Sequence, residues 1–78
     1  MIETTLVHDS VLINIREGNT IRNEECEIIR IFHAYYPSGF QVCEVAVYAD
    51  GTAYSSTGDE IGKLCAAAIL RRLGIKAA

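Results

Sequence analysis

At 78 residues, half of them hydrophobic and only one a proline, the chain has the composition of a single ordered globular domain (1–78) rather than of a disordered segment. A domain this small buries only about 60% of the surface its unfolded chain exposes, so it has room for one compact core. Ten acidic against seven basic side chains, a formal charge of −3, argue against broad attachment to nucleic acid, and no stretch reaches the roughly 20 apolar residues needed to span a membrane.

The N-terminal MIETTLVHDS has no basic segment followed by an apolar run, so it does not read as a secretory signal. From Thr5 to Arg16, Val11, Ile13 and Ile15 alternate with Leu12, Asn14 and Arg16, the period of a strand with one buried face. Asp9-Ser10 reads as a bend, a bulge or a hairpin turn with residues 3–8. Gly18-Asn19 supplies residues tolerant of positive φ and predicts a tight turn, with Thr20–Arg22 returning along the first strand.

The segment NEECEIIRIFHAYY has two readings. As a helix, Asn23 caps it, the glutamates sit in the first turn where the dipole favours negative charge, and Ile28, Ile31, Phe32 and Tyr35 share one face. As a strand, Ile29, Ile31, His33 and Tyr35 oppose Ile28, Arg30, Phe32 and Ala34, which separates polar from apolar poorly. The helix is the expectation. Pro37-Ser38-Gly39 ends either element.

Phe40 to Tyr48 alternates with mostly apolar residues on both faces and predicts a central strand. Asp50-Gly51 fits a two-residue type I′ hairpin, with Ala53–Ser56 as a short edge strand and Tyr48 and Tyr54 as a cross-strand pair. Thr57, two residues and Glu60 form a capping box, so a helix is expected from about Gly58, with Ile61, Leu64, Cys65, Ala68 and Ile69 inward and an Asp59–Lys63 pair outward. Gly74 is the stop, with Ile75 folded back on Leu70. The fold class is therefore α+β: an antiparallel sheet of about four strands, a central helix, and a C-terminal helix packed on one face.

Chemistry is sparse. Cys26, Cys43, Cys65, His8 and His33 lack the paired short spacing of a zinc site, so no metal is expected, and the odd, scattered cysteines read as reduced thiols. The carboxylates at 24, 25 and 27 would raise rather than lower the pKa of Cys26, and DGTAYSSTG lacks the lysine and the glycines of a phosphate loop. No catalytic residue and no cofactor are expected. Surfaces are better marked. Glu24, Glu25 and Glu27, with Asp59 and Glu60 at the other helix start if the two fall on one side, suit a partner protein with a basic surface, and Tyr36 is the aromatic expected to be exposed and to act as an anchor. Helix-dipole compensation explains each acidic cluster without a partner. Arg71, Arg72 and Lys76 form a basic helix end.

The 78-residue length, the acidic NEECE cluster, the VAVYADGTAYSS hairpin and the capped terminal helix resemble the anti-CRISPR proteins encoded by phages and mobile elements. The resemblance implies a non-enzymatic, stoichiometric inhibitor in the cytoplasm of a bacterial host, binding a CRISPR effector subunit on a surface that would otherwise hold DNA. The alternative is a small nucleic-acid-binding or regulatory module that uses Arg71, Arg72 and Lys76, as a homodimer packed through the alanine-rich helix.

Overall fold

The computed structural model describes residues 2–75. It contains β1 (Glu3–His8), β2 (Val11–Arg22), β3 (Ile28–Tyr35), β4 (Gln41–Val47), β5 (Ala53–Ser55) and α1 (Glu60–Leu73). The five strands form one antiparallel sheet in chain order, β1-β2-β3-β4-β5, so the α+β class and the C-terminal helix stand as expected. α1 touches β4 and both edge strands, β1 and β5, which requires the sheet to curl around it. Between them lies a core of Ile13, Ile15, Phe32, Ala34, Cys43, Val45, Val47, Cys65, Ala68 and Ile69.

Several expectations are corrected. Residues 28–35 are a strand, not the central helix. Helical periodicity loses because both faces of β3 find partners. Phe32 and Ala34 enter the core, Ile29 and Ile31 pack on the other face of the sheet, and Arg30, on the core side, is neutralised by Glu17. Asn23 still acts as a cap, but of a turn: its Oδ1 accepts from the backbone N–H groups of Glu25 (3.0 Å) and Glu27 (2.9 Å).

Gly18-Asn19 does not reverse the chain either. β2 runs on to Arg22 and absorbs the pair as a bulge between Glu17 and Thr20. Glu17 ties β2 to β3 and to the N-terminal segment here, accepting from Arg30 Nε (2.8 Å), Arg30 Nη2 (2.9 Å) and Ile2 N (3.2 Å). A side chain at Gly18 would meet the His33 ring as it stands, so the glycine leaves room for that ring rather than forming a turn. The reversal instead falls at Asp9-Ser10, both at positive φ (50° and 63°), the signature of a two-residue type I′ hairpin.

Asp50-Gly51 is not type I′. Gly51 N–H bonds Tyr48 O, Tyr48 N–H bonds Thr52 O, and only Gly51 takes positive φ (90°), which is a type I turn closed by a left-handed residue. The same pattern recurs at 36–40, with Gly39 at φ 93°, and at 23–27, with Cys26 at φ 63°. Three hairpins thus share one loop.

α1 begins later than the capping box suggested. Asp59 is the N-cap, accepting from Gly62 N–H at 2.9 Å, while Thr57 Oγ1 donates to the same carboxylate at 3.0 Å. Asp59 is thereby engaged, and among the described residues no ion pair joins it to Lys63. Gly74 closes the helix at φ 75°, and Ile75 N–H bonds Leu70 O at 2.9 Å as expected.

Candidate protein-binding surface

Strand register sorts the acidic residues into two groups. Arg30 pairs with Val47, so the 23–27 and 48–52 loops lie at the same end of the sheet. β5 then carries the chain away from that end to the start of α1, and the 14-residue helix, about 21 Å long, returns it, placing Ile75 against Gly51. Glu24, Glu25 and Glu27 therefore stand at one end of the molecule, and Asp59 and Glu60 at the other. The two clusters do not form one surface.

A residue from a different hairpin joins the first group. The neighbouring Glu25 carboxyl holds Glu27 above its ordinary range, with slight desolvation and the charge of nearby Asp50 adding to the rise. Asp50 itself is held low by hydrogen bonds from the Thr52 hydroxyl (2.6 Å) and N–H (3.0 Å), so its charge persists beside the glutamates. Of the nearby cations, Arg30 is committed to Glu17, and Arg22 donates through Nη1 to Cys26 O at 3.0 Å. The carboxyl groups of Glu25, Glu27 and Asp50 therefore lie near one another at this end, to which α1 also returns its last turn with Arg71 and Arg72.

The face of the sheet turned away from α1 adjoins it. Cross-strand register sets Ile21 beside Ile29 in one row, and Ile31, Ala46 and Tyr54 in the next. Tyr48 meets Tyr54 edge-on, with ring centroids 5.4 Å apart, which bears out the expected pair. Ile29 is buried within this group, whereas Ile21 (51%) and Tyr54 (61%) remain exposed. Aromatic and branched apolar side chains beside clustered charge are what a protein–protein interface needs: area to desolvate and an electrostatic field to orient the partner.

Tyr36 is placed otherwise. It is half-buried against the core and stacked on Phe40 (6.5 Å), and it lies in the 36–40 loop at the end opposite Glu24, Glu25 and Glu27. Phe40, at 71%, is the exposed aromatic of that loop. Asp50, Ile21 and Tyr54 are contributors that spacing along the chain did not bring together. Their signal is register across three strands, which no local pattern encodes.

The basic residues stay dispersed. Arg71 and Arg72 are exposed in the last turn of α1, and Lys76 lies outside the described residues. Arg16 stacks over the Tyr35 ring at 4.9 Å on the open face, and Arg22 and Arg30 are committed as above. A cavity of about 600 Å³ between β1, β2 and the 36–39 turn is lined by Glu3, Thr5, Asn14, Arg16 and Tyr35 and lies away from the acidic end. Among the described residues no group of three or more His, Cys, Asp and Glu side chains is arranged to hold a metal ion, and no helix is long and apolar enough to cross a membrane. No protein-family model, curated protein or solved structure matches the chain.

Proposed function

We propose that the protein is a non-enzymatic inhibitor, derived from a phage or mobile element, that occludes a basic surface of a CRISPR effector or another nucleic-acid-handling protein. The observation that carries this reading is the convergence of Glu25, Glu27 and Asp50, from two hairpins, beside the exposed Ile21 and Tyr54. A groove that binds phosphates is lined by arginine and lysine, and clustered carboxylates meet it as phosphates would. The neighbouring apolar rows supply affinity that charge alone does not, because rim charges chiefly set orientation and on-rate.

The test is affinity capture from a CRISPR-bearing bacterial lysate with the wild-type chain and with a Glu24→Lys, Glu25→Lys, Glu27→Lys variant. The expected result is retention of a nucleic-acid-handling protein by the wild type, loss of that protein with the variant, and competition of the retained protein with its DNA. Equal capture by the two chains would remove the acidic end from the mechanism.

A further inference from the structure

Scattered along the chain, the three cysteines read as independent thiols; folding separates them into one and two. Cys26 is exposed in the 23–27 loop. Cys43 lies on the core side of β4 opposite Ala34, and Cys65 lies on the buried side of α1, one turn beyond Gly62. Cys43 is 4% exposed and Cys65 is fully buried. Both side chains enter the one core cluster between β4 and α1, two elements in contact, and Cys43 lies near enough to disfavour ionisation of Cys65. The absence of a side chain at Gly62 brings the start of the helix down onto Ser55 and Thr57, which favours close approach at Cys65 as well. Nothing in the acidic end uses this pair.

We propose that Cys43 and Cys65 are a redox modification site, converted by exchange with a low-molecular-weight disulfide of the glutathione class into an intramolecular disulfide that ties α1 to β4. The less buried Cys43 gives up its proton and attacks one sulfur of the small disulfide, releasing one thiol and forming a mixed disulfide. Cys65 then loses its proton and attacks the Cys43 sulfur, displacing the second thiol. The protein loses two electrons and two protons, and the small disulfide becomes two thiols.

Burial pushes the Cys65 thiol up to about 12, with Cys43 adding to the rise. A protonated thiol is a poor nucleophile, so the exchange is slow and needs α1 to lift locally. The same burial protects the disulfide once it has formed.

The experiment uses the full chain carrying Cys26→Ser, equilibrated in glutathione redox buffers with and without urea, then acid-quenched, alkylated and weighed. The expected product is a native chain lighter by two hydrogens that takes up no alkylating agent. Half-oxidation should fall at a value of [GSH]²/[GSSG] about tenfold higher for the native than for the urea-unfolded chain, because folding holds the two sulfurs together. Accumulation of a stable glutathione adduct, two thiols still free at equilibrium in the most oxidising buffer, or a native half-point no higher than the unfolded one would overturn the proposal.

Discussion

Gly62 lies so close beneath Thr57 that a Cβ on the glycine would fall 2.5 Å from the Thr57 carbonyl oxygen and 2.6 Å from Ser55 Oγ. In an unobstructed helix, Gly→Ala stabilises by about 1 kcal/mol. Here the obstruction is backbone, which cannot rotate away. Gly62→Ala should therefore destabilise the protein by about 2 kcal/mol, the range of overpacked cores. Urea unfolding monitored by circular dichroism checks this, and a stabilised variant would show that the helix start is not seated as described.

Cys26 and Gly39 occupy the corresponding left-handed position of two loops of the same type, at φ 63° and 93°. A side chain there costs about 1 kcal/mol in backbone strain, partly offset by the freedom glycine adds to the unfolded chain. Cys26→Gly should raise stability by up to about 1 kcal/mol. Gly39→Ala should lower it by about as much through the backbone alone, since an added Cβ meets nothing within 4 Å. Opposite shifts in the urea midpoint are the expected pair of outcomes, and a destabilised Cys26→Gly would mean that the thiol has a structural task in the loop.

Glu17 is held below its ordinary range by its hydrogen-bonded ion pair with Arg30, and Asp59 by the Gly62 N–H and the Thr57 hydroxyl. Both carboxyls bind protons more weakly when folded, so their stabilisation is present above the unfolded carboxylate pKa, about 4, and is lost as pH falls through the folded values. Glu27 is raised, so protonating it on acidification favours the folded state. Thermal midpoints measured between neutral pH and about pH 2.5 should fall less steeply for Glu17→Gln than for the wild type, and more steeply for Glu27→Gln. Identical slopes in all three proteins would contradict these assignments.

Asp59, not Thr57, caps α1. Asp59→Ala should cost about 1 kcal/mol, as loss of an N-cap does. Thr57→Ala should cost less, because Gly62 N–H keeps its acceptor. The reverse order in urea titrations would restore the helix start expected from the capping box.

Part of the candidate surface was legible before folding. The glutamates around Cys26 stand out in the chain, and Asp50 and Tyr54 flank a recognisable turn. Their adjacency was not legible, because it depends on Arg30 facing Val47 and Ala46 facing Tyr54. The expectation that Tyr36 lies exposed failed on the same ground: the curl of the sheet places it against the core and leaves Phe40 outside.

Local chemistry by itself determined the elements whose signals lie within one turn of chain: the alternation of β4, the Gly74 stop with its Ile75 bond, the reversal at 48–52, and the α+β class. Tertiary structure decided between helix and strand for residues 28–35, because isoleucine, phenylalanine and tyrosine fit either, and only neighbours on both faces of β3 supply the burial that selects the strand. It also decided the fate of polar residues. Arg30 reaches across to Glu17, 13 residues away along the chain, and Gly18 makes way for His33 on the neighbouring strand. Periodicity reports which residues seek burial, and packing alone reports what they find there.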